Sequence, residues 1–176
     1  MKLETERLLL EPFSLEHLAG LHSINGDPDV MRYLGPINSI EETREGITRV
    51  TERWDRLGYG WWAALEKVSG HVIGAACVQN TANIDDAPLE LGWRLATAAQ
   101  GKGYAVEAGK AAMRFAFDQL NADLVLAVAD QENIASHKVM QRIGMTYRGI
   151  ETHYDEPLTT YVKHRAPIDT SHSSST

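Results

Sequence analysis

With 176 residues, 43% of them hydrophobic and 23% charged, the chain is long enough for one packed core and short for two. Its formal net charge of −7 argues against nucleic acid as the main partner, since phosphate binding calls for a basic field, and is compatible with a cationic partner such as an amine. A single cysteine, Cys77, makes no internal disulfide, so a reducing cytoplasm is the expected location; no apolar run has the length of a membrane span, and Met1–Pro12 is too charged and short for a signal peptide.

Arg7–Phe13 (RLLLEPF) reads as a strand. Ser14 is placed to cap a helix that carries Leu15, Leu18 and Leu21 on one face. The run Asn25–Pro28 breaks it, a short turn is expected at Asp29–Leu34, and Gly35–Pro36 breaks the chain again. Ser39 with Glu42 forms a capping box for a longer helix, whose Ile47, Val50, Trp54 and Leu57 keep helical spacing up to Gly58. Trp61–Lys67 and His71–Gln79 flank a tight turn and predict a hairpin. After the polar loop Asn80–Pro88, Leu89–Leu95 (LELGWRL) is a further strand.

A glycine-containing run, Gln100–Ala105, precedes an alanine-rich helix from about Tyr104 to Leu120. Leu124–Ala129 (LVLAVA) has the continuous apolar character of a strand buried on both faces. A short helix over about Asn133–Ile143 stops at Gly144. Strands at about Thr146–His153 and Leu158–His164 pair around Asp155–Pro157. The expected organisation is one α+β domain over 1–165, with a flexible polar tail over 166–176.

Gly101 and Gly103 just before a helix have a physical use. Without side chains the backbone approaches an anion closely, and the first helical N–H groups have no partner within the helix. Lys102 adds positive charge. A plain tight turn is the simplest alternative. A dinucleotide loop is the sharper rival, and Asp130 after the next strand lends it some support. That rival needs Gly or Ala where Val106 stands, and more parallel strands than this chain supplies.

The residues around this run carry a resemblance. Gln100-x-x-Gly103-x-Ala105 is similar to the Q/R-x-x-G-x-G/A signature of the GNAT acetyltransferase superfamily. Asn133-x-x-Ser136 followed by Ile143–Gly144–Met145 resembles the segment after that family's fifth strand, and the opening LETERLLLEPFSLEHL resembles the ribosomal-protein N-terminal acetyltransferase (Rim-type) subgroup. The resemblance implies a mostly antiparallel, twisted sheet of about seven strands with about four helices, splayed between its fourth and fifth strands. It implies acetyl-CoA as co-substrate, with no metal. Main-chain groups of Trp93, Arg94 and Leu95 would hold the pantetheine arm, as would Asn133 and Ser136 from the far side. Amides over Gln100, Gly101, Lys102, Gly103, Tyr104 and Ala105 would cradle the pyrophosphate.

The implied reaction is direct attack of a primary amine on the thioester, the amine belonging to a protein N-terminus, such as that of a ribosomal protein, or to a small molecule. Relatives also acetylate antibiotics and polyamines, and homodimers are common among them. The family's usual acidic tyrosine falls at Met140, which donates no proton. The subgroup implies Ser136 as the group that steadies the departing thiolate; capping of the following helix is its plain structural reading. Two carboxylates stand as bases: Glu90 on the strand beside the thioester, and Asp155 in the last hairpin. Strand solvation and turn formation are their structural readings. Glu107 is read as compensating the helix dipole. Trp54, Trp61 and Trp62 with Tyr33 are read either as core or as an acceptor pocket. With Met140 in the acid position, a catalytically silent acetyl-CoA sensor is the second reading of the whole chain.

Overall fold

The computed structural model describes residues 1–167, so the expected tail lies outside the described residues apart from Ala166 and Pro167. One mixed sheet runs in the order β1(Leu3–Glu4)–β2(Leu8–Pro12)–β3(Trp61–Glu66)–β4(Val72–Asn80)–β5(Leu89–Leu95)–β6(Leu124–Ala129)–β8(Glu156–His164)–β7(Thr146–His153). Every neighbouring pair is antiparallel except β5 with β6. The helices are α1(Leu18–Asn25), α2(Pro28–Met31), α3(Ile40–Leu57), α4(Tyr104–Asp118) and α5(Ile134–Arg142).

The eighth strand is β1, two residues paired at Leu3–Leu10 and Glu4–Leu9. A segment that short gives no alternation to read. The fifth helix is α2, a single turn that starts where Asp27 accepts from the Asp29 N–H at 2.9 Å and Pro28 presets the backbone angle. Leu15 departs from the expected apolar face. It lies in a 3₁₀ turn, Leu15–His17, whose three-residue period swings it outward, and it is 56% exposed. The final turn is also tighter than expected: Glu156 and Pro157 belong to β8, and Tyr154–Asp155 alone make the bend, both at positive φ.

The capping box on α3 forms as the sequence dictates. The Ser39 N–H donates to Glu42 at 2.7 Å, the Glu42 N–H donates back to Ser39 Oγ at 3.2 Å, and Gly58 ends the helix in the left-handed region. The two faces of the sheet are covered differently. On one, Phe13, Leu21, Ile47, Ala63 and Ala75 join α1 and α3 to the strands. On the other, the small side chains Ala108, Ala111, Ala112 and Ala116 let α4 lie close over Leu8, Leu10, Trp62 and Leu91. Trp62 sits edge-on to both Trp54 and Phe115 at 5.1 Å. Trp62 is therefore core, and Trp54 spends its indole N–H on the Trp61 carbonyl at 3.0 Å.

The N-terminus of α4 is fixed by a charged knot. Glu107 accepts from the Thr5 hydroxyl at 2.6 Å, the Arg7 main-chain N–H at 2.7 Å and Arg7 Nε at 2.8 Å. Arg7 also donates to the Lys102 carbonyl at 2.9 Å and lies over the Tyr104 ring at 4.3 Å. Glu107 thus does more than face the helix dipole: it ties the glycine run to the first strands of the sheet. Burial pushes its carboxyl up, but the hydrogen bonds from Thr5 and Arg7 outweigh that and hold it below its ordinary value. A carboxyl lowered in the folded state contributes stability above its unfolded pKa and loses it as pH falls through the folded one. Glu107→Gln should therefore lose about 1–3 kcal/mol near neutral pH in urea unfolding. The gap to the parent should close in acid; a gap independent of pH would contradict the ionic reading.

Candidate active site

The parallel pair β5/β6 is the short seam of the sheet. It pairs only at Leu89–Val125 and Glu90–Leu126, after which the strands diverge. From Leu91 onward the edge of β5 facing β6 has no strand partner, and its main-chain groups are open to a ligand. The opening continues into a cleft of about 520 Å³. Trp93, Arg94 and Leu95 form one wall, Gly101, Gly103 and Ala105 the floor, and Asn133 and Ser136 the opposite wall. Tyr33 and Arg32, beside α2, stand at the mouth.

The floor is built for an anion. Gly101 and Gly103 have φ of 74° and 84°, which any side chain would strain. Gly103 caps α4 with no side chain to satisfy its first turn. As a result the main-chain N–H groups of residues 101–106 donate to no acceptor among the described residues; the first bond of the helix is Glu107 N–H to the Gly103 carbonyl at 3.1 Å. Six free amides thus lie in sequence at the positive end of a helix of 15 residues, an arrangement that suits a pyrophosphate. Gln100 itself folds back to donate to the Leu95 carbonyl at 3.2 Å, fixing the loop to the end of β5. Lys102 is exposed, and Tyr104 turns away from the cleft to donate its hydroxyl to Glu66.

On the far wall, the N-cap of α5 is Asn133, whose side-chain oxygen accepts from the Ser136 N–H at 3.2 Å. Capping therefore falls to Asn133 and leaves the Ser136 hydroxyl without a protein partner among the described residues, beside the cleft. Met140 is buried in the core and does not line the cleft.

Glu90 sits where the seam opens, 7% exposed, on the face covered by α1 and α3. Tyr154 donates to Glu90 Oε2 at 2.8 Å and accepts from Gln79 Nε2 at 3.2 Å; the Trp61 indole N–H donates to Gln79 Oε1 at 2.9 Å. Burial raises the Glu90 carboxyl to about 7, against the lowering pull of the Tyr154 hydrogen bond. Burial and the Glu90 charge push the Tyr154 phenol upward, so it remains a donor. Asp155 is exposed on the hairpin turn and does not line the cleft. Cys77 lies buried behind Gly92, and burial drives its thiol well up, away from the nucleophilic thiolate. Among the described residues no three His, Cys, Asp or Glu side chains converge as metal ligands, and no helix is long and apolar enough to cross a membrane.

The family model for the acetyltransferase (GNAT) domain matches residues 7–146. The chain belongs to the GNAT acetyltransferase family. The uncharacterized N-acetyltransferase YnaD of Bacillus subtilis is 26% identical over 85% of this chain and 85% of its own length. An acetyltransferase of Agrobacterium tumefaciens superposes with a TM-score of 0.79 at 25% identity, covering 94% of this chain and 95% of that one. RimL, the ribosomal L7/L12 α-N-protein acetyltransferase in complex with coenzyme A, shares the fold at a TM-score of 0.77 and 18% identity, covering 93% and 98%. The splayed mixed sheet is thus the GNAT fold, and solved structures of that fold hold coenzyme A or acetyl-CoA.

Of the residues singled out from sequence, the cleft gathers Trp93, Arg94, Leu95, Gln100, Gly101, Gly103, Ala105, Asn133 and Ser136. Neither Glu90 nor Asp155 lines it: Glu90 is at the last paired position of the β5/β6 seam, and Asp155 is on the exposed hairpin turn. Sequence reasoning missed Tyr154, Gln79 and Arg7. A strand glutamate that is buried requires a hydrogen-bond donor, but nothing local names a partner 64 residues away. Removing the Tyr154 hydroxyl takes away the one hydrogen bond that lowers Glu90. In Tyr154→Phe the Glu90 carboxyl, followed by carbon-13 NMR, should titrate above about 7; an unmoved midpoint would contradict the contact.

Proposed function

We propose that the protein is an acetyl-CoA-dependent N-acetyltransferase that acts on a primary amine by direct attack. The observation that carries the reading is the set of unpartnered amides over residues 101–106, at the mouth of a gap whose strand edge is also unpaired. Those amides would hold the pyrophosphate. Main-chain groups of Trp93, Arg94 and Leu95, with Asn133 opposite, would hold the pantetheine arm. Bound there, acetyl-CoA supplies the activated acetyl thioester.

The chain's own residues then meet two proton demands. An amine attacks only when neutral. Glu90, with a carboxyl near 7, is a carboxylate in about half of the molecules at neutral pH and takes that proton directly or through one water. Tyr154 holds the acceptor oxygen in place, and Gln79 and Trp61 hold Tyr154. An α-amine, with a pKa of about 7.7–8.0, suits a base of this strength better than a lysine amine near 10.4. A protein N-terminus or a small α-amine is therefore the favoured acceptor. Ser136 is too weak an acid to protonate a thiolate, and its free hydroxyl instead stabilises the leaving sulfur by a hydrogen bond. Asp155, on the exposed turn outside the cleft, is the less well placed of the two carboxylates.

Catalysis and silent sensing separate in one assay. Thiol release from acetyl-CoA with a panel of amines should give turnover for the wild type; binding without release for any amine would favour the sensor. In the same assay Glu90→Gln should lower kcat by roughly 10²–10⁴-fold, and Ser136→Ala should lower kcat with little change in the acetyl-CoA KM. Wild-type rates in both variants would overturn these roles.

A further inference from the structure

The cofactor reading uses the main chain of Arg94 and leaves its side chain without a task. Along β5 the side chains alternate. Trp93 packs against Gly109 beneath α4, and Leu95 joins the same core. Glu90, Gly92 and Arg94 share the opposite face, the one covered by α1 and α3 and turned away from the amide floor that suits the pyrophosphate. There the Arg94 guanidinium carbon stacks at 4.7 Å from the Trp61 ring centroid. Gly92 makes room for this: a side chain there would come within 3.0 Å of Cys77 Sγ and 3.5 Å of Trp61.

The charge of Arg94 is not balanced from within the protein. No carboxylate of the described residues lies within ion-pair distance, and Nε is buried without a hydrogen-bond partner. Arg94 stands where the main cleft meets a second pocket of about 140 Å³, lined also by Trp61, Phe13, Asn25 and Glu42. Glu42 is committed to capping α3, with the Ser39 N–H on its carboxylate at 2.7 Å. Asn25 is 5% exposed, and its side-chain oxygen is buried with no partner. Two unpartnered polar groups, one cationic and one nine-tenths buried, thus line one small pocket that shares Arg94 with the main cleft. Native proteins seldom leave such groups unmatched unless a ligand matches them.

We propose that this pocket reads the acceptor: the amine substrate carries a carboxylate, bound in bidentate fashion by Arg94, with Asn25 hydrogen-bonding beside it. This rests on the acetyl-transfer reading above and deepens it. The planar fork of a guanidinium matches a carboxylate. One cation in a pocket this small neutralises one negative charge, which disfavours a phosphate. A polyamine or an aminoglycoside would bring positive charge against Arg94 and is rejected by the same feature. Glu90 and Arg94 are four residues apart on one face, so the base and the anion-binding group flank Gly92 and Trp93, beside the open strand edge.

The test uses α-amino acids and ω-amino acids of increasing length, each beside its own carboxamide, with kcat/KM measured by thiol release. The wild type should favour the carboxylate over the carboxamide by roughly 10-fold or more for at least one length. Arg94→Gln should bring that ratio near one, chiefly through acceptor KM, and Arg94→Lys should restore it in part. A residue acting only by packing on Trp61 would lower both members of a pair alike and leave the ratio intact. A wild-type ratio near one at every length, or a ratio that survives Arg94→Gln, overturns the proposal while leaving acetyl transfer standing. Should Arg94→Gln fail to fold, Arg94→Lys and the wild-type ratio decide. Absence of transfer to every amine tested would overturn the acetyltransferase reading itself and this proposal with it.

Discussion

Two parallel strands that pair at Leu89–Val125 and Glu90–Leu126 and then part leave backbone donors and acceptors on both facing edges with nothing inside the sheet to bond. A sheet cannot carry such a gap in its interior at no cost, because each unsatisfied buried group costs free energy. The fold offsets the cost in two ways. β8 continues to pair β6 antiparallel through Ala129, and β4 pairs β5 through Leu95, so each strand is held from its outer side. On the proposed function, an extended ligand lying in the gap would complete the hydrogen bonding.

The other features of the site follow from that opening. The chain leaves β5 through the 3₁₀ turn Thr97–Ala99, and Thr97 donates to Asp27 at 2.9 Å, tying the start of α2 to the exit of the strand. The glycine run then enters α4 with its amides pointing free, and the Arg7–Glu107 knot keeps that entry rigid. Glu90 is at the last paired position of β5 with β6, and its side chain is buried on the sheet face beside Gln79 and Tyr154; that burial raises its carboxyl.

The sequence carried much of this. Ser39–Glu42, Gly58 and the apolar run at Leu124–Ala129 are local signals, and local physics decides them. The glycine run was legible as a positive-φ loop with free amides ahead of a helix, because those features belong to the loop itself. What could not be read is what depends on contacts across the chain. Tyr154 meets Glu90 only because the last hairpin returns beside β6 and lies over the gap. Arg7 meets Glu107 across 100 residues. β1 is too short to show a period, and Leu15 was misplaced because a 3₁₀ turn rotates its side chain away from the helical face. Asp155 and Tyr154 are neighbours in one turn, and sequence gives no way to tell which of them faces Glu90.

The central claim is that the amides of residues 101–106 are unpartnered because they receive the phosphates of acetyl-CoA. Nitrogen-15 NMR of the wild-type protein tests it directly. On titration with acetyl-CoA, the amide resonances of Gly101, Lys102, Gly103, Tyr104, Ala105 and Val106 should move downfield together, while those in the middle of α3 stay in place. Saturable binding that leaves this set unmoved, or no binding at all, would contradict the account.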